Sequence, residues 1–269
     1  MFVREGRQEI GRLRIVLIAA FIALVPIALI TTTIRVAISE HSVYDYAVRH
    51  YGAEQASGIP QSELLRANGE IRNYLVAGDA GPLAPRVTNS SGETGSLFNA
   101  KETAHMADVR SLVQLMFKAQ VLAVALVLTL AVVMIALWPP RALAAASLYG
   151  SLLTLGMLGL TGLAAASGFD AAWAKFHGIA FSNDLWELNP RTDHLIQMFP
   201  EAFWRDAVTA IGGLIALQAL AIGIVSGLYL LATRGAPAIE PPEQRLLPER
   251  EHLPRHPRLA PPNPRHYVR

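Results

Sequence analysis

Four long apolar blocks dominate this 269-residue chain and leave few folds open to it. They run from Leu13 to Val36, from Leu112 to Trp138, from Ala142 to Ala166 and from Ala207 to Ala232. A bilayer's hydrocarbon layer is roughly 30 Å thick and takes about 20 helical residues to cross. Each block meets that length, and the cleanest stretch of each is free of charge. Backbone groups in lipid must find partners within their own segment, so the blocks are expected to be helices. The expected fold is therefore an all-α membrane protein with four transmembrane helices. A content of 52% hydrophobic and only 16% charged residues agrees with it.

The first block follows a basic segment, residues 1–12, and could be taken for a cleaved leader. Its apolar stretch is longer than a leader's, and no small-x-small cleavage site precedes the polar part, so it reads as a retained helix. Pro26 lies in its middle, where it removes one backbone donor and is expected to kink the helix. Orientation follows from basic residues near the helix ends. The N-terminal segment, the Trp138–Arg141 turn and the tail from 233 to 269 share one side, with 12 Arg, counting Arg14 at the foot of the first block, against 6 Glu. The other side carries 11 basic residues against 15 acidic ones. Both termini are thus expected in the cytoplasm. The net charge of +2 comes from this asymmetry and calls for no nucleic-acid partner. The tail holds 9 of the 17 prolines and is expected to be a disordered cytoplasmic extension.

Two segments then face outward. Residues 37–111 are too many for a connector and are expected to form a small extracytoplasmic cap between the first two spans. Within it, Ser62 to Val76 has a partial apolar helical face, and Gly78 to Gly95 is rich in turn residues. From Leu97 onward helical periodicity resumes and runs without Pro or Gly into the second span, so one long helix should leave the cap and enter the bilayer. The second segment, residues 167–206, is expected as an aromatic loop, with eight aromatic residues between Ser167 and Arg205. Interfacial belts explain part of that density.

Each segment carries a histidine in a suggestive setting. Glu102, His105 and Asp108 are spaced by three and share one helical stripe, where a carboxylate can hold an imidazole in one tautomer and raise its basicity. A solvated helix face explains the same pattern. His177 lies among aromatics in Phe176-His177-Gly178-Ile179-Ala180-Phe181, just before Asn183 and Asp184. A hydrogen-bonded structural histidine explains that one equally. Both fall on the same membrane face. His41, His50 and His194 have no comparable setting and are expected at the surface. The chain has no cysteine, which removes thiol nucleophiles and cysteine metal sites. Glu102-x-x-His105 is half of a dinuclear carboxylate–histidine pattern, and no second copy occurs. No phosphate-cradling glycine loop, Gly-x-Ser-x-Gly or His-Glu-x-x-His is present. No metal and no cofactor are called for.

The runs FNAKETAHMADVRSLV and KFHGIAFSNDLWELNPRTDHLIQMFPEAFW, set in a four-span layout, resemble the lipoprotein intramolecular transacylase (Lit) family of bacterial membrane proteins. The resemblance covers roughly Leu13 to Ala232. It implies a four-helix enzyme of the cytoplasmic membrane whose substrate is a diacylglyceryl-modified lipoprotein. The acyl chain would pass from the glyceryl sn-2 ester to the α-amino group of the lipidated N-terminal cysteine. It further implies that His105 and His177 are the catalytic pair at the boundary of cap and membrane. Phe98, Asn99, Phe176, Phe181, Trp186 and Phe203 would then line the substrate pocket, and Glu102, Asp108, Asn183 and Asp184 would orient or polarise. A lipid-binding protein without activity, and a metal-dependent lipid hydrolase, are the alternatives that the residues by themselves leave open.

Overall fold

The computed structural model describes residues 2–78 and 81–235, with side chains from residue 11 onward. The expected tail lies outside the described residues after its first three. Helix α1 (Phe2–Ser39) is followed by three shorter helices, α2 (His41–His50), α3 (Ala53–Ser57) and α4 (Gln61–Val76). A hairpin of β1 (Arg86–Thr88) and β2 (Thr94–Ser96) leads to α5 (Ala100–Leu137). Then come α6 (Pro140–Ala166), α7 (Phe169–Ala180), α8 (His194–Met198) and α9 (Glu201–Ala232).

Four of these helices, α1, α5, α6 and α9, are long and apolar enough to cross a membrane. Without a hydrophobic drive between helices in lipid, close approach depends on small residues. Helix α6 buries Ala146, Gly150, Ser151 and Thr154 on one stripe. A Cβ added to Gly150 would lie 2.8 Å from Val25 Cβ, so α1 and α6 meet backbone against side chain. Gly223 of α9 faces Ser151 in the same way, at an ordinary 3.5 Å. Leucines such as Leu128, Leu160 and Leu217 stay exposed, as lipid-facing residues must.

Helix α5 has 38 residues, which at 1.5 Å each makes it about 57 Å long, nearly twice a bilayer's hydrocarbon layer. Its charge-free part begins after Lys118, so its first half precedes the stretch apolar enough to span. The expected long helix is present: it starts at Ala100, close to the expected Leu97, and continues unbroken into the second apolar block.

That first half packs into a second core, separate from the bundle. Val48, Leu64, Ile71, Leu97, Met106 and Met198 form its centre. Leu195, Met198 and Phe199 come from the segment before α9 and Phe203 from its first turn, so this core draws on both inter-span segments, 37–111 and 167–206, and not on 37–111 alone. Arg110 of α5 ties it down by donating to the carbonyls of Tyr74, Ala77 and Gly78 at 2.9, 3.0 and 3.1 Å, where α4 ends with unpaired acceptors. The turn-rich segment closes the hairpin: Asn89 Oδ1 accepts from Ser91 and Glu93 N–H, and Gly92 takes φ 87°. The expected aromatic loop is largely helical, carrying α7 and α8, and α9 begins at Glu201 rather than at 207.

Candidate active site

His105 sits on the second turn of α5, and the sequence fixes where that helix starts. Asn99 is its N-cap: the Asn99 side chain accepts the Glu102 N–H at 2.9 Å, and the Glu102 carboxylate accepts the Asn99 N–H at 2.8 Å. This reciprocal pair satisfies two donors that a helix start leaves orphaned. The other Glu102 oxygen accepts Leu195 N–H at 2.6 Å, and Asn99 donates to Asp193 at 3.0 Å. The first turn of α5 is thereby pinned to residues 193–195. Asn99 is a helix cap and not a pocket wall, and the Glu102 carboxylate, 1% exposed, is spent on backbone donors and not on His105. The stripe also drifts about 60° per three residues, so Glu102 and Asp108 point about 120° apart, Glu102 to Leu195 N–H and Asp108 to Asn183. Burial raises the Glu102 carboxyl above its ordinary pKa, opposed by the hydrogen bonds from Asn99 and Leu195.

His177 is placed by α7. Its Nδ1 lies 2.9 Å from the carbonyl oxygen of Trp173, one turn earlier. A carbonyl can only accept, so Nδ1 carries the proton and the lone pair of the neutral ring is at Nε2. The rings of His105 and His177 are 6.2 Å apart, and the two residues are 6% and 8% exposed. Four aromatic rings surround His177: Trp173 at 4.7 Å, Trp186 at 4.9 Å, Phe176 at 5.2 Å and Phe181 at 5.7 Å. Phe181 also meets His105 edge-on at 5.1 Å and so touches both.

The electrostatics keep both histidines neutral. His105 is pushed down to about 4, first by burial and then by the nearby His177, with Asp108 pulling the other way. Burial also lowers His177, against the hydrogen bond to Trp173, which raises it. Nδ1 of His105 is buried and has no hydrogen-bond partner among the described residues. Buried polar atoms are rarely left so, and at a site built to receive a ligand such an atom is a ready contact.

Below Phe181, between α5 and the end of α7, lies a groove of about 280 Å³. Asp108, Ser111, Ser182 and Asn183 make it polar in part, while Leu112, Leu115 and Phe181 supply an apolar wall. Asn183 donates to Asp108 across it at 2.9 Å.

Other expected site residues go elsewhere. Phe98 and Phe203 belong to the second core, at 4% exposure each. On α9 it is the next residue, Trp204, that turns toward the site and stacks on Trp173 at 5.1 Å, a rotation of about 100° away from Phe203. Asp184 is exposed and contributes a backbone carbonyl, to Glu187 N–H at 3.1 Å. His41 and His50 lie toward the surface as expected, whereas His194 is half-buried, with Nδ1 2.8 Å from Gln197 Oε1. Trp173, Trp204 and Asp193 are contributors that the pattern of the sequence did not single out. Phe169, Trp173, Phe176 and His177 do fall at helical spacing, and that was the available signal. Among the described residues no three His, Asp or Glu side chains converge as a metal site would require.

The family model described as lipoprotein intramolecular transacylase Lit matches residues 19–204, well over half of the chain and both histidines. The chain belongs to this family. It is accordingly a membrane-integral enzyme, a transacylase. Solved structures of the Bacillus cereus lipoprotein intramolecular transacylase share the fold. One aligns with a TM-score of 0.71 at 17% identity, over 83% of this chain and 98% of that chain. A second, carrying a histidine-to-arginine mutation, aligns at 0.68 and 18% identity, over 86% and 97%. A third, with a histidine-to-alanine mutation, aligns at 0.69 and 16%, over 85% and 98%. No curated protein sequence matches the chain.

Proposed function

We propose that this transacylase moves an acyl chain from the glyceryl sn-2 ester of a diacylglyceryl-modified lipoprotein to the α-amino group of its lipidated N-terminal cysteine, giving a lyso-form N-acyl lipoprotein. The observation that carries the reading is the pair of buried histidines 6.2 Å apart inside an aromatic wall. Its supporting feature is the groove, whose mixed polar and apolar lining suits an ester with its acyl chain.

The α-amine attacks the ester carbonyl only when neutral. Nε2 of His177, with its lone pair fixed by the Trp173 carbonyl, takes the amine proton as the N–C bond forms. The C–O bond to glycerol then breaks, and the same proton returns to the glyceryl oxygen, so the reaction consumes no net proton. His105 stays neutral near pH 7 and gives a hydrogen bond from its ring N–H to the oxygen on which negative charge develops. Both reacting groups belong to one substrate, so the aromatic rings contribute by folding it into a near-attack arrangement. The excess of Arg on one side of the spans supports a reading with the termini in the cytoplasm and this site on the outer face.

The test is mass spectrometry of the N-terminal peptide of a lipoprotein coexpressed with the enzyme. An acyl group found on the cysteine amine, with a free glyceryl hydroxyl, is the expected product. His105→Ala and His177→Ala should each abolish it while the protein is still made; turnover by either variant would refute the assignment of that histidine.

A further inference from the structure

The β1–β2 hairpin has two edges, and the protein treats them differently. Its register pairs Arg86 with Ser96, Val87 with Gly95 and Thr88 with Thr94. The flanking bonds, Leu97 N–H to Pro85 carbonyl at 2.8 Å and Asn89 N–H to Glu93 carbonyl at 2.9 Å, set the phase of the ladder. In an antiparallel pair, hydrogen-bonded and non-bonded residue pairs alternate. Val87 and Gly95 therefore face inward, while the backbone groups of Arg86, Thr88, Thr94 and Ser96 point out of the ladder.

On the β1 side two of the four outward groups are taken by α4: Glu63 accepts the Thr88 N–H at 3.3 Å, and Arg66 donates to the Arg86 carbonyl. On the β2 side they are not. The N–H of Thr94 and both the N–H and carbonyl of Ser96 have no partner among the described residues, and the Thr94 carbonyl has only the Arg86 guanidinium at 3.5 Å. All three residues of β2 are exposed, and Thr, Gly and Ser put no bulk over the edge. An open edge is a template for another extended chain, and proteins ordinarily cover one or leave it for binding.

We infer that the free edge of β2 receives the extended peptide that follows the lipidated cysteine of the substrate, as an added strand; this rests on the transacylase reading above. Along the chain the strand leads toward the site: two residues, Leu97 and Phe98, separate Ser96 from the N-cap Asn99, and His105 is on the second turn beyond it. At about 3.5 Å per extended residue and 1.5 Å per helical one, Ser96 lies within roughly 22 Å of His105, the reach of about seven peptide residues. Backbone pairing recognises an extended chain whatever its side chains.

The experiment uses the full-length enzyme and synthetic diacylglyceryl-cysteinyl peptides of twelve residues, N-methylated at one backbone position at a time beyond the sixth. Strand pairing presents every second N–H to the edge, so the expected result alternates. Methylation at one parity lowers kcat/KM roughly three- to tenfold through KM, the cost of a hydrogen bond, and the other parity leaves it unchanged. The cysteine derivative with no peptide should show the highest KM. A flat profile across positions, with the unmethylated peptide turned over normally, overturns the edge-binding proposal and leaves the reaction standing. If the unmethylated peptide is not transacylated, the reaction reading fails, and the proposal with it.

Discussion

Replacing Glu102 by Gln separates two jobs that a carboxylate one turn from His105 could do. In the structure it accepts Asn99 N–H at 2.8 Å and Leu195 N–H at 2.6 Å, and it is 1% exposed. The amide oxygen of Gln can keep one of these donors, while the amide NH2 is left facing the other. Hydrogen bonds to charged groups are worth about 1.5–3 kcal/mol, so losing one and weakening the second costs about 3 kcal/mol. For a protein of this size that corresponds to a fall in Tm of about 6–12 °C. Tryptophan fluorescence during heating in detergent measures it, and the pH–rate profile is recorded in parallel. The expected outcome for Glu102→Gln is a lower Tm, reduced kcat and an acid limb at an unchanged pH. An unchanged Tm together with a shifted acid limb would refute the reasoning, since the carboxylate would then act on the imidazole and not on the frame that holds the helix.

Gly150→Ala should destabilise the bundle by about 1–3 kcal/mol through overpacking against Val25, and adding Val25→Ala should recover most of it; unfolding in detergent by fluorescence reads both. For pH, both histidines resist protonation when folded and bind protons near pH 6.5 when unfolded. Stability is therefore full above about 6.5 and falls as the pH drops toward 4, which a Tm series across that range checks. The logarithm of kcat/KM should rise with pH to about 8 as the substrate amine deprotonates. A falling limb between pH 7 and 9 would point to a protonated histidine acid and against the neutral donor. Asp108→Asn should shift Tm little, because its bond to Asn183 is exposed, but should lower kcat/KM by loosening the segment that holds Phe181 and Trp186. Turnover at the wild-type rate would remove Asp108 from the site.

The spans were legible because lipid imposes a length and an uninterrupted apolar run, a demand that local sequence meets by itself. The long α5 was legible for the same reason, as its periodicity continues from the cap into the bilayer without a break. The site was legible as residue types and less so as partners. Asn99 and Glu102 stand at capping-box spacing, and a carboxylate used that way is not free for an imidazole, but its second partner, Leu195, is 93 residues distant. Phe203 and Trp204 differ by one position, and which of them turns to the histidines depends on where α9 starts. The fixed tautomer of His177 required knowing that residues 169–180 are a helix, which aromatic density alone disguises as an interfacial belt.

The unbroken α5 also acts as a ruler. Each residue between Lys118 and His105 sets the height of the imidazole above the bilayer by about 1.5 Å and its bearing by about 100°. One inserted residue in that stretch would swing His105 a quarter-turn and more out of phase with α7. Seven would restore the bearing to within about 20° but lift the ring by roughly 10 Å, out of step with an ester whose depth the lipid itself determines. The length of this stretch is thus a constraint of its own, and a chain free to vary its residues there is not free to vary their number.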